Sequence, residues 1–178
     1  LYTVECDVDY STGNVDYKGD VLVKGDVRAG FSVKCGGDVI VRGAVEDATI
    51  EAEGDVVIKG GVVSSGSAVI KAGGDVSVGF VQHSTIEAGG SVFIKVAAVG
   101  TTIRARKDVE VMRREGRIYG GEIEVGGWVV GQAIGCETCT TLRIKFHGME
   151  GVWDNPDDRY RFSFVSTNCL ESPIKTIF

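Results

Sequence analysis

A five-residue phrase recurs through this chain at nearly constant spacing, and no other feature restricts its fold so tightly. Gly19-Asp20-Val21-Leu22-Val23 returns as Gly37-Asp38-Val39-Ile40-Val41, as Gly54-Asp55-Val56-Val57-Ile58 and as Gly74-Asp75-Val76-Ser77-Val78. Weaker copies follow at Gly90-Ser91-Val92-Phe93-Ile94 and Lys107-Asp108-Val109-Glu110-Val111. Measured at the second residue, the steps are 18 (20 to 38), 17 (38 to 55), 20 (55 to 75), 16 (75 to 91) and 17 (91 to 108). A fixed period of this size means stacked units, each too small to bury its own apolar face.

A second column keeps phase with the first. Val33, Ile50, Ile70, Ile86 and Ile103 are each followed two positions later by a small residue: Cys35, Ala52, Ala72, Ala88 and Ala105. A third strand-like piece lies around Val27, Val45 and Val63. Within the pieces apolar residues sit at i and i+2, as in Val21/Val23, which places them on one face of a strand. Strands this short are not stable alone. Stacked in parallel, like on like, they bury continuous ladders of Val, Ile and Ala, with glycine at the corners. No i, i+3, i+4 apolar stripe supports a helical alternative. The expected fold is therefore all-β: a right-handed parallel β-helix, a three-sided solenoid of about seven short coils of roughly 17 residues. Residues 1–146 form the β-helix domain, and 147–178 form a C-terminal extension acting as a cap, with Trp153, Tyr160, Phe162 and Phe164 as its aromatic residues.

Composition narrows the function. With 26 Gly and only 2 Pro, the glycine serves a repeat rather than a disordered Pro-rich tract. The formal net charge of -6 argues against a generic phosphate-backbone binder. No apolar run approaches the roughly 18 residues of a membrane span, and no signal peptide is visible. The first residue is Leu1 rather than Met, which suggests a piece of a longer protein. The five cysteines, Cys6, Cys35, Cys136, Cys139 and Cys169, are odd in number and unevenly spaced, as reduced thiols of a cytoplasmic protein would be.

From Val8 to about Ile144 the sequence resembles the β-helical domain of the bacterial flagellar assembly protein A family. The resemblance rests on Tyr10-Ser11-Thr12-Gly13-Asn14-Val15-Asp16-Tyr17-Lys18-Gly19-Asp20-Val21, on Gly25-Asp26-Val27-Arg28-Ala29-Gly30-Phe31-Ser32-Val33, and on Gly43-Ala44-Val45-Glu46-Asp47-Ala48-Thr49-Ile50-Glu51-Ala52. Ile58-Lys59-Gly60-Gly61-Val62, Gly120-Gly121-Glu122, Ala133-Ile134-Gly135 and Thr140-Thr141-Leu142 extend it. It implies a bacterial cytoplasmic protein without known catalysis, tied by family name to flagellar assembly or polar organisation. Members of the family often continue into long helices, whereas residues 147–178 show no heptad.

Several residue sets invite a functional reading. Asp20, Asp38, Asp55, Asp75 and Asp108 should stack one above another; a calcium ladder is weighed against turn capping, in which each Asp accepts amide hydrogen bonds beside its Gly, and capping is preferred. Lys24, Arg42, Lys59 and Lys95 lie four positions after a residue of the Asp column and share its outward face. Together with Asp20, Asp38 and Asp55 they form a candidate protein-binding stripe; a solvated charge ladder is the plainer reading. Cys136 and Cys139 make one CxxC pair, and with no second pair to complete four zinc ligands they read as ordinary thiols. Cys35 takes an inward small position and should be buried and inert. His83 falls at a coil corner and should be exposed.

No catalytic residue, cofactor or metal is expected. The leading expectation is a non-catalytic scaffold for cytoplasmic protein partners, with no nucleic acid and no membrane insertion. A bactofilin-like protein that polymerises end to end is the alternative, since heterologous end contacts give open filaments. A carbohydrate-active β-helix enzyme is a distant third, because coils of about 17 residues leave little chain for the walls of a cleft.

Overall fold

The structure is a computed structural model that describes residues 1–112, 116–131, 133–134 and 142–146. Every described strand pairing is parallel, and the chain advances by one coil between paired strands. The result is a parallel β-solenoid of about seven turns with about 18 residues per turn. The extension at 147–178, Cys136, Cys139 and Cys169 lie outside the described residues. Among the described residues no helix is long and apolar enough to cross a membrane.

Three runs of pairing make three faces. The first holds the Gly-Asp-Val phrase: β1 (Tyr2–Val4), β3 (Val21–Val23), β5 (Val39–Val41), the openings of β8 (Val56–Val63), β10 (Val76–Gln82) and β12 (Val92–Ala105), then β13 (Val109–Val111) and β15 (Val129–Val130). The second starts with the single bridges Val8–Val27 and Val27–Val45. It continues through β6 (Val45–Glu46), the later parts of β8 and β10, the middle of β12, the start of β14 (Arg117–Val125), and β16 (Ala133–Ile134). The third stacks β2 (Val15–Tyr17), β4 (Ser32–Cys35), β7 (Thr49–Ala52), β9 (Val69–Ala72), β11 (Thr85–Ala88), the ends of β12 and β14, and β17 (Leu142–Phe146).

Inside, like stacks on like. Val21, Val39, Val56, Val76, Val92 and Val109 form one fully buried ladder, and Val33, Ile50, Ile70, Ile86, Ile103 and Ile123 another. β-branched side chains suit this role because a stiff χ1 rotamer repeats without strain from rung to rung. The third strand-like piece lies where expected, and its inward column is fixed by the pairing. Val62, not Val63, continues Val27 and Val45; Val62 is buried and Val63 is about half exposed. A slip of one position in a strand exchanges the inner and outer faces.

The first face departs from plain alternation. Its outward middle position holds Leu22, Ile40, Val57 and Phe93, all partly buried, while Ser77 and Glu110 in the same column keep the alternation. The apolar residues stand between the Asp column and the Lys/Arg column and shield the short strands beneath them.

Candidate functional site

The Gly-Asp pair works between coils rather than within a turn. Asp20 Oδ1 accepts the backbone N–H of Asp38 at 3.0 Å, Asp38 that of Asp55 at 2.8 Å, Asp55 that of Asp75 at 2.7 Å, and Asp75 that of Ser91 at 2.7 Å. Asp108 does the same for Trp128 at 3.0 Å. The preceding glycine is required for steric reasons: a Cβ on Gly37, Gly54, Gly74, Gly90 or Gly127 would collide with the Oδ1 of the Asp one coil earlier. Where the column carries Ser91 instead of Asp, the next coil carries Lys107 instead of Gly. The second face repeats the device, with Asp7 accepting from Asp26 N–H at 2.9 Å and Asp26 from Ala44 N–H at 2.8 Å. That bond from the Asp26 amide, followed by the Arg28 guanidinium, holds the Asp7 carboxyl below its usual range. Arg28 in turn is shared among Asp7, Asp26 and Glu46.

The stripe anticipated on the first face is thus divided by role. Asp20, Asp38 and Asp55 are engaged in joining coils. Lys24, Arg42, Lys59 and Lys95 are exposed, and Lys24 pairs with Glu5 of the preceding coil at 2.7 Å rather than with an Asp of the column. Cys35 is buried, its thiol donates to the Gly37 carbonyl, and burial pushes its pKa up. His83 is exposed, with a left-handed φ of 48°.

A different corner is bound most tightly. Asp47, also in the left-handed region at φ 39°, accepts hydrogen bonds from the Ser64, Ser65 and Ser67 hydroxyls and from the Ser65 amide. These donors, the Ser64 hydroxyl foremost, hold its carboxyl well below the usual carboxylate range. Ser64 Oγ also accepts the N–H groups of Gly66, Ser67 and Ala68. Ser64 thus anchors the loop that follows it. Among the described residues no group of three or more His, Cys, Asp and Glu side chains is placed to hold a metal ion.

The third face carries the most organised surface. Its outward central position runs Asp16, Lys34, Glu51, Lys71, Glu87, Arg104, Glu124, Lys145, alternating in sign at every coil. Lys34 meets Glu51 at 2.9 Å, Arg104 bridges Glu87 at 3.2 Å and Glu124 at 3.1 Å, and Lys71 approaches Glu87 at 3.7 Å. The partnership with Glu51 raises the Lys34 pKa. Sequence reasoning followed the inward residues of these strands and passed over the residue between them. The signal was present as strict sign alternation at the coil period.

Beside this ladder runs an open groove. One stretch, of about 670 Å³, is lined by the Lys71-Ala72-Gly73 and Glu87-Ala88-Gly89 triplets with Arg104, Ala105 and Arg106. The adjoining stretch follows Lys34-Cys35-Gly36 and Glu51-Ala52-Glu53. The groove exists because the inward residue at this corner is small while the neighbouring ladder is built of long charged side chains. Its floor touches solvent: Ala52, Ala72 and Ala88 are 9%, 8% and 6% exposed, against 0% for the isoleucine ladder.

The model of the Flagellar Assembly Protein A beta solenoid domain (FapA) family matches residues 1–154. Comparison with curated proteins and with solved structures returned no match.

Proposed function

The chain belongs to the Flagellar Assembly Protein A β-solenoid domain family, and from that premise we propose that it is a non-catalytic scaffold that binds protein partners in the bacterial cytoplasm during flagellar assembly. The observation that carries this reading is the third face, where a groove and a charge ladder of fixed register run side by side along the solenoid. Such a face presents charge at intervals set by the backbone, and it requires little ordering when a partner binds. The short connections support a surface rather than a cleft, since coils of 16–20 residues that supply all three faces leave little chain for walls. In this proposal the solenoid is right-handed, as crossover connections between parallel strands nearly always are, and residues 147–178 cap its C-terminal end.

Light scattering of the purified chain over a concentration series, with negative-stain images of the same samples, tests the proposal against its main rival. A particle of fixed small size is expected. Filaments that lengthen with concentration would replace the scaffold with an end-to-end polymer. A second arm asks whether cytoplasmic proteins retained by the chain are lost when Lys71 and Arg104 are changed to Gln, and retained when Lys24 and Arg42 are.

A further inference from the structure

Building on the scaffold reading, we infer that the groove on the third face takes an acidic peptide in the polyproline II conformation, with a carboxylate at every third residue. The argument is one of matching periods. Charges of one sign recur every second coil along the ladder, which at ordinary strand spacing is about 9.6 Å. A polyproline II helix has three residues per turn and rises about 9.3 Å per turn, so its same-face residues stay within about 1 Å of register over three turns. A β-strand running along the axis repeats its face at about 6.6 Å or 13 Å and falls out of step at once. An α-helix returns to its face after seven residues, about 10.5 Å, and at 10–12 Å in diameter is too broad to reach the alanine floor.

Size argues against a second copy of the chain. A face about 34 Å long and about 13 Å wide offers roughly 450 Å², well short of the roughly 800 Å² per partner of a stable protein interface. A linear segment is the better fit to such a strip.

The sign follows from exposure. Lys34, Lys71 and Arg104 have side chains 52%, 50% and 57% exposed, whereas Glu51, Glu87 and Glu124 lie lower at 37%, 36% and 24%. The outer layer of the ladder is therefore cationic, and Arg106 adds a further cation to the groove lining. Small floor residues let the peptide backbone come close. No aromatic residue lines the larger stretch of groove, so binding there rests on charge and weakens with salt; Tyr17, Asp16 and Glu53 line the smaller stretch, which places the cationic part of the site on the larger one. The formal net charge of -6 supplies no general attraction for an acidic ligand, so recognition depends on register.

The test uses the whole chain and three peptides: four repeats of Glu-Pro-Pro, the same composition with its glutamates consecutive, and four repeats of Lys-Pro-Pro. Fluorescence anisotropy gives affinity, and amide chemical shifts give location. The period-three acidic peptide is expected to bind about tenfold more tightly than its clustered isomer. It should shift Ala72, Ala88 and Ala105 and lose about tenfold in affinity with Lys71→Gln/Arg104→Gln. Equal affinity of the two acidic isomers, preference for the lysine peptide, or shifts confined to the first face would overturn the inference. The peptide comparison needs no protein variant, so misfolding of a variant does not obscure it. Loss of this inference alone leaves a discrete, partner-retaining particle intact, whereas filaments would remove the scaffold reading and leave the peptide result standing.

Discussion

Asp38 shows how much one carboxylate can decide. Its Oδ1 accepts the Asp55 amide across the coil boundary and fills the space that a Cβ on Gly54 would need. Gly54→Ala should therefore cost about 1–3 kcal/mol of stability, and Asp38→Ala about 1 kcal/mol, both read from chemical denaturation. In the double variant the collision with Oδ1 is gone and only the tight approach to the Gly37 backbone remains, so the combined cost should be less than the sum of the two single costs, with coupling of about 1 kcal/mol; strict additivity would refute the inter-coil unit. Asp47 makes a second prediction. Its folded pKa lies below the ordinary 3.8 because serine donors favour the carboxylate. A depressed carboxylate pKa contributes stability that is full above the unfolded value and is lost as pH falls through the folded one. Thermal melts from about pH 5 to pH 2 should thus fall less steeply for Asp47→Asn than for the parent chain, and parallel curves would exclude the role. The Gly-Asp phrase was legible from the sequence, but its bond was not. A capping aspartate is normally read against amides two or three residues away, and here the amide lies 16–20 residues on.

At the scale of the element, each strand of the third face has two kinds of neighbour, and they fail differently. Ile70 packs between Ile50 and Ile86 and is fully buried. Ile70→Ala removes three carbons from a column that stacked strands hold fixed, and a loss of about 2–5 kcal/mol is expected at any ionic strength. Glu87 stands outside, between Lys71 and Arg104. Glu87→Lys would set three cations in succession, and the loss of about 1 kcal/mol should shrink when salt is raised. Melts of both variants at low and high salt separate the two effects; a salt-insensitive Glu87→Lys would show that the ladder contributes no electrostatic stability. The inward columns were readable because apolar residues at i and i+2 admit one interpretation in a repeat. The Val62/Val63 choice was not, since both residues are valine and only the pairing with Val45 and Glu46 fixes which faces in. The groove was hidden for another reason: it depends on the height of a charged side chain relative to an alanine beside it, and the sequence shows neither height.

Across the whole molecule two periods are superimposed. The backbone repeats every coil, while the sign of the third-face ladder repeats every two. The fold and its surface therefore respond differently to changes in length. Excising residues 39–55 removes one coil and leaves every inward ladder continuous, yet it brings Lys34 against Lys71. Excising residues 39–75 removes two coils and restores opposition, with Lys34 beside Glu87. The melting temperature of the shorter deletion should therefore rise more with added salt than that of the longer one, since only the shorter one sets like charges side by side; an equal salt response would show that the sign of the ladder does not matter to stability. The smallest length that can be copied or lost without an electrostatic scar is thus a pair of coils. A chain of this design has a grammar in which the coil is the letter and the coil pair is the word, and it can grow or shrink without rewriting its surface only by whole words.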